Sequence, residues 1–190
     1  MITKISMTIN EYISSGAFSL FKGGAVETST ERTTPLLSLN PKHLVVAVAQ
    51  GVKAQLILLC TEYVTASVEI TLDKDAELDI VELYLKDSCV AISAIQHQNS
   101  QLRCFSALLS SSNVSYTYAL EGSGASNTLN TLFIATGTDH ATINLNTRHN
   151  VGQCSSRSLI KGIAAGRATG EFRGLVYVAP DAQQTDAQQQ

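Results

Sequence analysis

The sequence is poor in charged residues: they make up 15% of its 190 residues, against about a quarter in an average globular protein. It contains no Trp and only three Pro. Since 44% of the residues are apolar, the combination of low hydrophobicity and high charge that keeps a chain disordered is excluded. The net charge of −3 predicts no basic surface for nucleic acid. No run of 18 apolar residues occurs, so no membrane-spanning helix is predicted.

The residues at the start of the sequence and the cysteines both indicate a reducing compartment. Residues 1–10 lack the basic flank and apolar stretch of a secretory signal, and we therefore expect a cytoplasmic protein. The four cysteines contain no C-x-x-C pair, so neither a zinc knuckle nor a redox motif is predicted. Disulfides are not needed in a chain of this size in that compartment. We expect the thiols to be reduced and buried as small apolar groups. The four are Cys60, Cys89, Cys104 and Cys154.

The sequence divides at about residue 40. Residues 1–40 are predicted to form an irregular or capping segment, because Ser, Thr and Gly interrupt any regular period there. Residues 41–190 are predicted to form one core. Four isoleucines of the first segment come close to helical spacing, but the density of Ser, Thr and Gly around them disfavours a helix. They are Ile2, Ile5, Ile9 and Ile13.

Residues 41–190 have the pattern of a chain of short strands. Val68, Ile70 and Leu72 alternate with polar residues, which indicates a half-buried strand. Clusters of turn-forming residues recur at intervals of about 11 to 15 residues, from 98–100 to 179–181. Short strands separated by regular turns predict an all-β protein, either a sandwich, a barrel or a solenoid.

Two observations favour the solenoid. Tight hairpins of sandwiches use Asn-Gly or Asp-Gly, and the sequence contains neither dipeptide. The positions that we expect to face inward are often small or polar, which suits side chains stacked in ladders between successive coils. These positions are Ser106, Ala107, Thr128, Asn130, Thr142 and Asn144. We therefore predict a β-solenoid, with a β-sandwich as the alternative.

Six stretches, taken in their order and spacing, resemble the core domain shared by SufB and SufD, the iron–sulfur cluster assembly proteins that work with the ATPase SufC. They span about two thirds of the chain. The stretches are 75–79 (DAELD), 119–125 (ALEGSGA), 147–157 (TRHNVGQCSSR), 161–163 (KGI), 170–178 (GEFRGLVYV) and 181–190 (DAQQTDAQQQ). The His-x4-Cys-x-Ser and Thr-Asp-Ala-x-Gln elements are more similar to SufD than to SufB.

This resemblance implies a right-handed parallel β-helix and a non-catalytic scaffold subunit. The subunit would pair with a SufB-like chain and recruit a SufC-like ATPase. No cofactor is implied for the isolated chain, and an iron–sulfur cluster would be present only transiently in the assembled complex.

The family's cluster-forming residues and its ATPase-contacting segment lie beyond the Thr-Asp-Ala-x-Gln element, inside which this sequence stops. We therefore expect weak binding to the ATPase alone. A β-helix that stops in mid-coil would expose an open edge, and we expect the chain to dimerise through it.

Cys154 and His149 are the candidate metal ligands of the chain. Arg157 is near them in sequence, and a nearby cation lowers the pKa of a thiol and makes the thiolate a better ligand. Iron–sulfur clusters usually need four thiolates, and four scattered cysteines do not make a site by number alone. We expect Cys154 to be a packing residue and the histidines in the strands, His140 and His149, to be hydrogen-bonded. No catalytic or cofactor-binding residue is assigned.

Two alternative functions remain open. The acidic residues at alternate positions, Asp73, Asp75, Glu77 and Asp79, include pairs of the kind that cleave glycosidic bonds, so a secreted β-helix enzyme acting on polysaccharide is one alternative. Two observations favour acids that simply face the solvent. The sequence has no Trp to form a sugar-binding platform, and the apolar Leu78 alternates with Glu77 and Asp79, which places the acids on the face opposite to the core. A purely structural β-solenoid is the other alternative. The Gly-rich stretches 122–124 and 162–166 lack the Lys-Ser/Thr of a phosphate loop, and we interpret them as turns.

Overall fold

The computed structural model describes residues 18–22, 25–29 and 35–190, and side-chain burial from residue 35 onward. The isoleucines considered for a helix lie outside these residues. Every regular element in the described part is a β-strand, which confirms the all-β prediction. No helix in this part has the length and apolarity needed to cross a membrane.

Fifteen strands are present among the described residues. They are β1 (Phe18–Lys22), β2 (Ala25–Ser29), β3 (Leu36–Leu39), β4 (His43–Val48), β5 (Lys53–Cys60), β6 (Val64–Leu72), β7 (Glu77–Tyr84), β8 (Ser88–Gln96), β9 (Gln101–Leu108), β10 (Ser112–Leu120), β11 (Ser126–Ala135), β12 (His140–His149), β13 (Ser155–Ala164), β14 (Thr169–Val178) and β15 (Asp186–Gln189).

From β3 onward the chain alternates between two sheets. Sheet A contains the even strands from β4 to β14, and sheet B contains the odd strands from β3 to β15. Within each sheet, every one of these strands pairs in parallel with its neighbour one coil along the chain. At the start of sheet A, β1 and β2 form an antiparallel hairpin that pairs with β4. Successive coils stacked in this way form a parallel β-helix, which confirms the solenoid prediction over the sandwich.

The register gives the length of each coil. Val64 pairs with Ser88 and Ser88 with Ser112, so one coil takes 24 residues in this region. Ser112 pairs with Ala141 and Ala141 with Gly170, so the later coils take 29. Two turns in each coil account for the turn spacing seen in the sequence. Among the described residues, the three strands β1, β2 and β3 lie within the segment 1–40.

The interior between the two sheets is mainly apolar, and five of the six small residues predicted to face inward do not. Ser106 is buried, but the other five lie at the opposite parity and are only half-buried. The prediction that these five residues face inward was wrong, because the stacked ladders of polar side chains lie on the outer faces of the sheets. Asn144, for example, donates to Asn113 one coil earlier over 3.3 Å. The interior needs apolar volume to exclude water. The five outward residues are Ala107, Thr128, Asn130, Thr142 and Asn144.

Two glycines of the last coils accommodate one aromatic ring. Phe133 on β11 is half-buried and packs against the core. A Cβ placed on Gly162 would lie 2.0 Å from the Phe133 ring, and one placed on Gly170 would lie 2.1 Å from it. Neither glycine has a positive φ, so the ring rather than the backbone conformation requires glycine here. The ring thus holds β11, β13 and β14 together at one corner of the helix.

We predict that Gly162→Ala lowers the free energy of unfolding by about 1–3 kcal/mol, because the added methyl group displaces the Phe133 ring from a packed site. Urea unfolding followed by circular dichroism measures this. In a Phe133→Leu background, the same substitution should cost much less. An equal cost in both backgrounds would contradict the assignment of the ring as the constraint.

Candidate functional site: a buried carboxylate inside the coils

The side chain of Glu82 lies inside the β-helix. On β7 the inward positions are Leu78, Ile80, Glu82 and Tyr84, so a carboxylate occupies a place in an otherwise apolar row. Glu82 is fully buried. Burial of a carboxylate is costly unless its oxygens receive hydrogen bonds.

Side chains from three strands donate hydrogen bonds to this carboxylate. Tyr116 on β10 donates to Oε2 over 2.6 Å, and Tyr84 on β7 donates to the same oxygen over 3.1 Å. The thiol of Cys104 on β9 donates to Oε1 over 3.2 Å. Tyr116 Oη also lies 3.0 Å from Oγ of Ser106. We call Glu82, Tyr84, Cys104, Ser106 and Tyr116 the Glu82 cluster.

Burial dominates the proton affinities in the Glu82 cluster. It raises the pKa of Glu82, and the hydrogen bonds from Tyr116, Cys104 and Tyr84 offset only part of that rise. Burial and the nearby carboxylate also raise the pKa of Tyr84, Tyr116 and Cys104 well above their ordinary values. These groups therefore hold their protons, and a thiol that stays protonated is a poor nucleophile and a poor metal ligand.

Cys60, on the inner side of β5, belongs to the same environment. Burial raises the pKa of its thiol to about 11. All four cysteines are unpaired among the described residues, and only Cys89 is exposed. The expectation of buried thiols is thus confirmed for Cys60, Cys104 and Cys154 and is wrong for Cys89, because Cys89 faces outward on β8.

The structure gives the two candidate metal ligands separate partners. The thiol of Cys154 donates to the carbonyl oxygen of Gly122 over 3.3 Å, and burial raises its pKa. His149 is fully buried, and its Nε2 lies 2.9 Å from Oγ of Ser156. Arg157 pairs with Asp186 over 3.4 Å, and the pKa of Cys154 is raised rather than lowered. No group of three or more His, Cys, Asp or Glu in the described part could hold a metal ion.

The side chains of His140, His149 and Gln96 also form hydrogen bonds to neighbouring strands or coils. Nδ1 of His140 lies 2.7 Å from Oγ1 of Thr169, so the prediction of hydrogen-bonded histidines is confirmed at 140 and 149. Inside the corner between the sheets, Gln96 donates to the carbonyl oxygen of Ser126 over 2.8 Å and accepts from Asn127 over 3.0 Å.

The acidic stretch at residues 73–79 is paired with cations and turn amides. Glu77 pairs with Lys53 over 2.7 Å, and Arg103 on the next coil pairs with Asp79 and, over 3.6 Å, with Glu77. Asp75 accepts a hydrogen bond from Asn99 over 3.0 Å. These carboxylates form a ladder between coils on the outer surface, where ion pairs contribute little stability.

Sequence reasoning missed the Glu82 cluster. The sequence does contain a sign of it: Glu82 falls at the same alternate position of the strand as the apolar Leu78 and Ile80, where another apolar residue is expected. Its partners could not be found from the sequence, since Cys104 and Tyr116 lie one coil or more away along the chain.

The fold is that of a parallel β-solenoid with a hydrogen-bonded carboxylate in its interior. Within that class the chain belongs to the family described as the SufBD core domain of SUF-system iron–sulfur cluster assembly, whose model matches residues 29–190. The resemblance found in the sequence is therefore confirmed at the level of the family, and the chain has a part in iron–sulfur cluster assembly. No curated protein matches the chain.

We predict that the contribution of Glu82 to stability falls as pH rises. Its pKa in the folded protein lies above the ordinary 4.5, so above that pH the folded state holds the proton more tightly than the unfolded state. The free energy of unfolding of the wild type, minus that of Glu82→Gln, should be largest below pH 4.5 and should decrease as pH rises from there to the folded-state pKa. Urea unfolding at stepped pH values measures this difference.

Tyr116→Phe removes the shortest hydrogen bond to the carboxylate and should move that decrease to higher pH. A difference between wild type and Glu82→Gln that stays constant with pH would contradict the proton affinity assigned to this site.

We predict that one thiol of the native protein reacts rapidly with iodoacetamide. Cys89 is exposed, whereas the other three thiols are buried and have a raised pKa. Mass spectrometry of the peptides should find Cys89 modified in the native state and all four thiols modified in urea. Rapid native labelling of Cys60 or Cys104 would contradict the packing described here.

Proposed function

We propose that the chain is a non-catalytic, SufD-like scaffold subunit of a SUF-type assembly complex. It would work with a SufB-like subunit and a SufC-like ATPase, and an iron–sulfur cluster would be present only transiently in the assembled complex. The proposal goes beyond the family membership in naming a role and partners. The SufD-like elements at 149–156 and 185–189 support it.

The observation that carries the proposal is the structural use of three of the four thiols; the fourth, Cys89, is exposed on β8 and lies outside the SufD-like elements. A chain that accepts sulfur or iron needs a thiolate that a partner can reach. Cys60 and Cys104 instead point into the coils, and Cys154, in the His-x4-Cys-x-Ser element, donates to the carbonyl of Gly122. Their raised pKa values support packing roles over sulfur chemistry.

The unpaired state of the cysteines in the described part also supports a cytoplasmic location, because disulfides are rare in that compartment. The acidic stretch supports the scaffold over the polysaccharide-acting enzyme, since Glu77 and Asp79 are bound to Lys53 and Arg103.

Association tests the proposed role. The tagged chain is mixed with a SufB-like protein, with a SufC-like ATPase, or with both, and complexes are sized by light scattering. We expect a complex with the SufB-like protein, and the ATPase to be retained mainly when that protein is present. We expect a homodimer of the chain when it is alone. A folded chain that binds neither protein, or that cleaves uronic-acid polymers, would refute the proposal.

The scaffold role is tested separately by anaerobic cluster assembly on the reconstituted complex. Cys104→Ala and Cys154→Ala should leave the iron and sulfide bound per complex within about twofold of wild type, because neither thiol meets the cluster. Cys89→Ser, at the exposed thiol, should also stay within about twofold of wild type, and loss of cluster formation by this variant would likewise contradict the non-catalytic role. Loss of cluster formation by Cys104→Ala or Cys154→Ala in a complex that still assembles would overturn the non-catalytic role.

A further inference from the structure

The two outer faces of the β-helix differ in chemistry. On sheet A one outward row runs from Val45 to Leu175, and the four positions between them are polar: Glu69, Ser93, Thr117 and Asn146. On sheet B the outward side chains in the second half of the strands from β3 to β9 are apolar, and several are exposed. They include Leu37, Val81 and Phe105, and the exposed Leu132 follows on β11. A contiguous exposed apolar surface of this kind marks an interaction site.

The register places these apolar side chains in two adjacent rows that run across the strands of sheet B. One row begins at Leu37 and passes through Ile57 and Val81 to Phe105. The other begins at Leu39 and passes through Leu59, Leu83 and Ala107 to Leu132. We call these two rows the apolar stripe. At β13 the second row ends in Lys161, which pairs with Leu132.

We infer that the apolar stripe binds an amphipathic α-helix of a partner polypeptide, with an acidic side chain of that helix meeting Lys161. This inference does not rest on the proposed function, since the stripe lies on the outer face of sheet B and uses none of the cysteines.

The dimensions of the apolar stripe favour a helix. Strands are spaced about 4.8 Å apart, so six strands span about 24 Å, and two outward rows lie about 7 Å apart. A surface that is long and two side chains wide matches one helix of about 16 residues, with a diameter of about 10 Å. A second flat sheet would need a broader apolar face.

A groove in the stripe has a charged end. A groove of about 310 Å³ lies between Phe105, Ala107 and Leu132, and Lys161 lines it. Arg103 and Arg157 near the stripe each pair with a carboxylate. Lys161 forms no ion pair with any residue in the described part of the chain. A ligand that covers the groove must therefore supply an acid, because an unpaired ammonium is costly to desolvate.

The same charge disfavours a second copy of the chain as the occupant. Neither row of the stripe contains a carboxylate, so packing two stripes face to face would bury both Lys161 ammonium groups without an acid.

Peptide binding tests the inference. The probes are fluorescein-labelled peptides of about 18 residues with Leu at helical i, i+3, i+4 spacing and Glu elsewhere, the same peptide with Lys in place of Glu, and a scrambled Leu/Glu peptide. Anisotropy titrations against the full chain should give binding of the Leu/Glu helix that is at least about tenfold tighter than that of either other peptide.

Variants locate the binding. Phe105→Ser and Leu132→Ser remove side chains that are 51% and 43% exposed, and each should weaken binding of the Leu/Glu peptide by about tenfold. Lys161→Glu should reverse the preference between the Glu and Lys peptides. Ile95→Ser is the matched control, since Ile95 is 46% exposed but lies on sheet A, and it should change affinity less than about twofold. Urea unfolding checks that every variant is folded.

Several results would overturn the inference. These are no binding of the Leu/Glu peptide by the wild type, equal losses in Ile95→Ser and Leu132→Ser, or an unchanged charge preference in Lys161→Glu. A dimer of the wild type that Phe105→Ser dissociates would assign the stripe to a second copy instead. Binding that appears only after removal of residues 1–17 would assign it to the chain's own first residues.

Discussion

The in-register parallel pairing of each strand with the strand one coil away is the constraint on which the rest of this protein depends. It fixes a coil at 24 residues between β4 and β10 and at 29 from β10 to β14. Because side chains alternate along a strand, each outward or inward position becomes a row that crosses the sheet. The ladder of ion pairs and the apolar stripe are rows of this kind, the Glu82 cluster joins inward positions of neighbouring strands, and a shift of the strand pairing by one residue would break each of them.

In the interior, the stacking of coils buries the carboxylate of Glu82 and also supplies the side chains that donate hydrogen bonds to it. A buried carboxylate rarely adds stability over an apolar residue of similar size, but a fully bonded polar cluster selects one arrangement of the strands around it. Glu82 can be bonded by Tyr84, Cys104 and Tyr116 only when β7, β9 and β10 are in the observed register. We therefore interpret the cluster as a set of contacts that fixes the register of these strands. The same contacts keep the thiol of Cys104 buried and protonated.

The outer faces of the two sheets differ: sheet A carries hydrogen-bonded ladders, and sheet B carries the apolar stripe that we propose as a binding surface. Sheet A presents short polar side chains that bond to their neighbours in adjacent coils, such as Asn113 and Asn144. Sheet B presents apolar side chains beside a cation without a partner in the described part. The proposed scaffold role in cluster assembly would use such a surface to hold other proteins. The buried thiols agree with the same division, because they contribute to packing while contact with partners is left to the outside.

The sequence by itself determined the strands, the turn spacing and the family, because alternation and turn residues are local properties and the motif order is directly visible. It did not determine which parity faces inward: Thr128 and Asn130 were assigned to the interior and lie outside. Nor did it reveal that Phe133 lies over Gly162 and Gly170, or that Glu82 meets Tyr116. The tertiary structure decided these points, because a period of two is the same for both faces of a strand. Only the length of the coil decides which distant residues meet between the sheets.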